Sequence, residues 1–231
     1  MDTVQNINAA PAARRPWNKG KLVGPKPPLQ PKHVWAIRTR LQMQRKVRDL
    51  ALFNLAIDSK LRGCDVVSLK VEDIAPHGYT MERATVRQKK TGRPVRFELT
   101  EQTRQAVDEY LRLAKRQPGS FLFGGRRGRE ESLTTRQYAR LVSIWVAMVG
   151  LDAGLFGTHS LRRTKATLIY RKTGNLRAVQ LLLGHTKVES TVRYLGIEVD
   201  DALLDETQFW AVAFCGRAAA ASQCLGHSAR Q

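Results

Sequence analysis

The chain has 231 residues, enough for one domain or two small ones, and an ordinary apolar content of 42%. Its charge is not ordinary: 39 Lys and Arg against 20 Asp and Glu leave a formal +19, an excess that calls for a polyanionic partner, nucleic acid ahead of anionic membrane. Three cysteines without a Cys-x-x-Cys pair argue against a disulfide framework or zinc finger, and no apolar run is long enough for a signal peptide or a membrane span. A cytoplasmic, DNA-associated protein is expected.

Residues 1–30 mix Pro11, Pro16, Pro25, Pro27 and Pro28 with Arg14, Arg15, Lys19, Lys21 and Lys26. With little to bury, this segment reads as a disordered basic arm, a phosphate-tracking tail or a solvated one. Pro31 suits a first helical position. Val34, Ile37 and Leu41, then Val47, Leu50 and Leu55, recur at helical spacing, predicting two helices broken near residues 42–45. A short helix follows Arg62-Gly63, carrying Val66, Val67 and Leu69.

The period then changes to two. Residues 80–88 and 93–99 alternate apolar and polar side chains around Lys89-Lys90-Thr91-Gly92, which predicts a β-hairpin, with residues 71–74 as a third strand. Thr100 reads as the N-cap of the next helix, which Pro118-Gly119 stops. A loop rich in Gly and Arg, including Arg126 and Arg127, precedes a helix over residues 133–149. Thr158 is read as the cap of a helix reaching Gly174, Asn175 as the cap of one ending at Gly184, and Thr186-Lys187-Val188-Glu189 as a capping box before a helix bearing Tyr194. An amphipathic segment at 202–214 precedes an Ala-rich tail. Trp35, Trp145 and Trp210 read as core or interface residues, and Trp17 as a binding anchor in the arm. The fold class is α+β, mainly helical with a small antiparallel sheet: an arm over 1–30, a domain over 31–214 and a flexible tail over 215–231.

His159 and Arg162 are three residues apart, so they share one helix face. Guanidiniums such as Arg62 and Arg162 suit a phosphodiester under attack, because each holds two oxygens in a planar fork and stays charged. A tyrosine, with an ordinary pKa of about 10, becomes a nucleophile there only beside cations and a proton acceptor. A hairpin lysine can act as the acid for the leaving hydroxyl. Each residue alone has a plain reading: Arg62 as a surface residue, Lys90 or Lys89 as a phosphate contact, His159 and His185 at helix ends, Tyr194 as a half-buried aromatic.

Taken in order, these residues resemble the tyrosine recombinases, the phage-integrase type of site-specific recombinase. The resemblance rests on Arg62 with Asp65 three positions on, Lys90 in Lys90-Thr91-Gly92, His159-Ser160-Leu161-Arg162, Leu183-Gly184-His185, and Tyr194 nine residues after His185. It covers about residues 31–198. It implies a domain of that fold that cuts and rejoins duplex DNA through a 3′-phosphotyrosyl link, without metal, ATP or other cofactor. Tyr194 would attack, Arg62 and Arg162 would hold phosphate oxygens, Lys90 would protonate the leaving oxygen, His159 would serve as acid and base, and His185 would bond a phosphate oxygen. Asp65 would support Arg62 from behind. Arg14, Arg15, Lys19, Lys21, Lys89, Arg126, Arg127, Arg163 and Lys165 are the candidate DNA contacts.

Family members usually carry an N-terminal core-binding domain that closes a clamp on DNA. Here a short basic arm precedes Pro31, so the arm or a separate DNA-binding protein would supply the second jaw. A homo-oligomer, a tetramer on DNA, is implied, with the 202–214 segment either as an inter-subunit contact or docked on its own domain. Two other readings stay open: an accessory DNA-binding protein that keeps the fold without cutting, and a topoisomerase-like relaxing activity.

Overall fold

The computed structural model describes residues 25–125 and 128–196, apart from the side chains of 128–130. Arg14, Arg15, Lys19 and Lys21 of the expected arm and the 202–214 segment therefore lie outside the described residues, whereas the end of the arm is ordered: Leu29 is buried with its N–H on Thr164 Oγ1 at 3.0 Å, and Lys26 Nζ donates to Phe156 O at 2.8 Å.

The fold is built around one helix. Helices α1 (Pro31–Met43) and α2 (Val47–Ser59) are separated by Arg45, whose φ of 51° breaks the run. From Asp49 to Ser59 every residue of α2 is buried; residues 50–57, apolar but for Asn54, suit a helix covered on all sides. It is packed against α1, α5 (Glu101–Ala114) and α7 (Thr158–Thr173). Trp145 of α6 (Thr135–Met148) closes it from another side, edge-on to Phe53 at 5.6 Å with its Nε1–H on Asp49 Oδ2 at 3.3 Å.

Strands β1 (Arg83–Arg87) and β2 (Pro94–Glu98) form the expected hairpin, pairing Val86 with Val95 and Ala84 with Phe97. Those four side chains are buried and their neighbours face out, as a half-covered sheet demands. A second, smaller apolar cluster joins α7, α8 (Leu176–Leu183) and α9 (Val188–Leu195) through Ala166, Val179, Leu183 and Leu195. Among the described residues, no helix is long and apolar enough to cross a membrane.

Several local readings change. Residues 71–74 are not a third strand but a single helical turn, α4 (Val71–Ile74), because Asp73 Oδ2 accepts the Lys70 N–H at 2.8 Å and Ala75 N–H bonds back to Val71 O. The preceding helix α3 spans Gly63–Val67, leaving Leu69 beyond it. The Gly-Arg loop contains a second two-stranded sheet, β3 (Gly124–Gly125) with β4 (Gly128–Ser132), continued by Leu133 N–H on Phe123 O.

Capping also departs from the pattern. Thr100 sits at the N-cap of α5, yet its hydroxyl goes to Asp58 Oδ2 at 2.8 Å. Gly157, not Thr158, caps α7, with its N–H on Ser160 Oγ. The Thr186 capping box is not made: Gln180 Nε2 ties the carbonyls of both His185 and Thr186, and α9 starts one residue later from Lys187. Trp35 is 57% exposed rather than in the core, beside the Arg38 guanidinium.

Candidate active site

The site forms where the two apolar clusters meet, and the end of α2 sets its first member. Lys60 terminates α2 in a left-handed conformation, φ 55°, and Arg62 then sits at the N-cap of α3. Arg62 carries its side chain to the Oε1 of Gln88, with which its Nη1–H is hydrogen-bonded. Gln88 follows β1 at the position where alternation points inward, and it is 1% exposed. Its Oε1 also accepts the Thr91 hydroxyl at 2.9 Å.

Arg162 lies in the second turn of α7 and is 3% exposed. Its Nε–H donates to Lys60 O at 2.8 Å and its Nη2–H to Leu183 O at 2.9 Å. A guanidinium gripped by carbonyls from two other segments has little freedom left. Leu183 O also receives Gln88 Nε2 at 3.4 Å. The next residue is Gly184, with φ of 66°, where a Cβ would come within 2.8 Å of Val95 Cγ2. Only glycine lets α8 end this close to the hairpin.

Beyond that turn, His185 and Tyr194 face one another edge to face at 5.3 Å. His185 Nδ1 is 3.1 Å from Thr191 Oγ1. The Tyr194 ring lies beside two cations, with the Cζ of Arg162 at 5.4 Å and that of Arg163 at 5.3 Å. Its hydroxyl is buried without a hydrogen-bond partner. An open cleft of about 490 Å³ runs past Arg62, Thr91, His185, Lys187, Ser190 and Tyr194.

Charge and burial set the protonation states. Burial pushes the Tyr194 phenol up to about 12, against the opposing pull of Arg162, Arg163 and Arg62. Desolvation, reinforced by Arg162 and Arg62, lowers His185 to about 4. His159, on the solvent side of the first turn of α7, is lowered by partial desolvation and by Arg162, Arg163, Arg62 and Lys26. Both imidazoles are therefore neutral near pH 7 and able to accept a proton.

The structure thus brings Arg62, Arg162, His185 and Tyr194 together, with His159 at their edge. Lys89 and Lys90 stand exposed at the hairpin tip, next to the cleft residue Thr91. Asp65, expected behind Arg62, instead accepts the Lys89 backbone N–H on Oδ1 at 2.9 Å and so anchors that tip.

Two candidate DNA contacts point inward. Arg163 is 3% exposed and donates through Nη1 to Lys26 O at 2.7 Å, while Lys165 is paired with buried Asp58 at 2.7 Å. Arg14, Arg15, Lys19 and Lys21 lie outside the described residues, as do Arg126 and Arg127. Sequence reading missed Gln88, for which the signal was a polar residue continuing the inward phase of Ala84 and Val86. Among the described residues, no group of three or more His, Cys, Asp or Glu side chains could hold a metal ion.

Comparison with known proteins meets this geometry. The model of the phage integrase family matches residues 29–199. The chain belongs to the phage integrase family. It is 29% identical over 160 residues to the probable integrase/recombinase YoeC of Bacillus subtilis (strain 168), covering 68% of this chain and 82% of YoeC. It is 30% identical over 189 residues to the tyrosine recombinase XerC of Neisseria gonorrhoeae, covering 76% of this chain and 59% of that protein. The fold is similar to the XerH site-specific recombinase bound to its difH substrate in a pre-cleavage complex, with a TM-score of 0.63 at 19% identity over 81% of this chain and 55% of XerH. The chain spans little more than half the length of XerC and XerH, and most of YoeC.

Proposed function

We propose that this chain is a tyrosine-type site-specific recombinase that cuts and rejoins duplex DNA through Tyr194. The observation that carries the reading is that Arg62, His185 and Tyr194 line one cleft, with the Arg162 guanidinium beside the Tyr194 ring. XerH, similar in fold, is a site-specific recombinase seen bound to its difH substrate. The +19 charge supports duplex DNA as the partner.

The residues divide the chemistry as follows. A scissile phosphate in the cleft takes the remaining N–H groups of Arg62 and Arg162 on its non-bridging oxygens, where charge accumulates in the transition state. His185 adds a hydrogen bond to one of them. The Tyr194 oxygen attacks phosphorus, a P–O bond to tyrosine forms, and the P–O bond to the 5′ oxygen breaks. The phenol proton passes to neutral His159, and the leaving oxygen takes its proton from Lys90 at the hairpin tip. The 3′-phosphotyrosyl link keeps the bond energy, so a 5′-hydroxyl from a second duplex reverses the step and completes exchange. A homo-tetramer on DNA, with basic contacts from residues 1–30, completes the proposal.

The test is a library of nicked duplexes with randomised centres, in which cleavage releases a short strand and traps the enzyme. Wild type is expected to accumulate a covalent protein–DNA species that Tyr194→Phe abolishes. A wild type that binds the library without forming the adduct would mark a DNA-binding protein of the same fold instead.

A further inference from the structure

Gln88 is placed where three parts of the site meet. Its Oε1 accepts from Arg62 Nη1 and from Thr91 Oγ1, and its Nε2 donates to Leu183 O. Leu183 O is also the acceptor for Arg162 Nη2. One buried amide thus links the first arginine, the hairpin tip and the carbonyl that holds the second arginine. Its main chain closes the same tip, with its N–H on Arg93 O and its carbonyl receiving Gly92 N–H.

The arrangement uses both ends of the amide. An acceptor is needed toward a guanidinium and a hydroxyl, and a donor toward a carbonyl. Among side chains of this length only glutamine offers both without charge. Glutamate would set a second acceptor against Leu183 O, and methionine would fill the space without either bond. A buried polar group satisfied for its own sake has no need to bond one of these guanidiniums and share a carbonyl with the other.

We propose that Gln88 is a positioning residue that fixes the spacing of Arg62 and Arg162 around the scissile phosphate. The proposal rests on the recombinase reading. Gln88 does not touch DNA. It acts through the two arginines, so its loss slows the covalent step and leaves DNA affinity unchanged. Misplacing a phosphate-binding group by an ångström costs a rate factor on the order of 10².

The experiment measures single-turnover adduct formation on a nicked duplex selected by the wild type, alongside DNA affinity and thermal stability. Gln88→Met is expected to slow adduct formation by about 10²-fold at unchanged affinity. In an Arg62→Ala background the same substitution is expected to slow it clearly less, because the Arg62 bond is already gone and only the Leu183 side of the link remains to be lost. A Gln88→Met enzyme with the wild-type rate overturns the proposal, and so does an equal loss in both backgrounds, which marks a merely structural role. If Gln88→Met does not fold, Gln88→Glu decides: a slower adduct at unchanged affinity supports the proposal, and an unchanged rate overturns it. A wild type that forms no adduct removes the recombinase reading and this role with it, whereas a reactive wild type with an equally reactive Gln88→Met removes this role alone.

Discussion

The guanidinium carbon of Arg162 lies 5.4 Å from the centre of the Tyr194 ring, while the hydroxyl of that ring is buried without a partner. The cation thus sits beside the π system. On the proposed reading, the nucleophile is held close to the cations that would activate it, but protonated.

A first consequence concerns stability. An unsatisfied buried hydroxyl is unfavourable by about 1–3 kcal/mol. Tyr194→Phe removes it and keeps the ring, so the DNA-free variant is expected to be more stable than wild type by about 1 kcal/mol. Urea unfolding checks this, and a clearly destabilised variant would contradict the unpartnered hydroxyl.

A second concerns ionisation. The Tyr194 pKa is about 12 in the folded chain, above the roughly 10 of an unfolded tyrosine. Its contribution to stability is full below pH ~10 and lost as the pH rises through about 12. The phenolate absorbance of wild type minus that of Tyr194→Phe should therefore rise late, near pH 12. A difference signal complete by about pH 10 would mean that the cations outweigh burial.

His185 behaves in the opposite direction. Its folded pKa of about 4 lies below the roughly 6.5 of free histidine. The stability tied to its neutral form is complete above pH ~6.5 and lost as the pH falls toward about 4. Urea unfolding across that window should show wild type weakening faster than His185→Gln. Parallel curves would remove His185 as a source of the acid sensitivity.

Lys165 is expected to behave as a core residue rather than a DNA contact. Its ammonium holds Asp58 Oδ1 at 2.7 Å, while Asp58 Oδ2 accepts from Thr100 N, Thr100 Oγ1 and Thr103 Oγ1. Lys60 Nζ donates to Asp58 O in the same place. Burial alone would raise the Asp58 pKa, but Lys165 and the two threonines hold it below its ordinary value. Removing one partner of such a pair costs about 3 kcal/mol, so Lys165→Met should lower stability by about that much with intrinsic DNA affinity retained. A stable Lys165→Met protein with weakened DNA binding would restore its role as a surface contact.

The helices and the hairpin were legible because their signals are periodic: α2 carries Val47, Leu50 and Leu55 at helical spacing, and Ala84, Val86, Val95 and Phe97 alternate cleanly. Gly174 and Gly184 marked helix ends correctly, since a left-handed residue there favours glycine. The resemblance to the tyrosine recombinases put Arg62, Arg162, His185 and Tyr194 in one set. What stayed hidden were side chains spent on tertiary partners. Thr100 and Thr186 carry capping chemistry, but Asp58 claims the first, and Gln180 pins the backbone around the second. Arg163 and Lys165 look like surface cations until the Lys26 carbonyl and the Asp58 carboxylate are seen against them. The sequence of residues 71–74 was too short for its period to separate a strand from one helical turn.

The central claim is that Tyr194 becomes covalently joined to DNA. The most direct measurement is to trap the adduct on a nicked duplex, digest protein and DNA, and identify the nucleotide-bearing peptide by mass spectrometry. A 3′-phosphate ester on Tyr194 and a free 5′-hydroxyl on the released strand are expected. A nucleotide attached to any other residue, or to the opposite strand end, would contradict it.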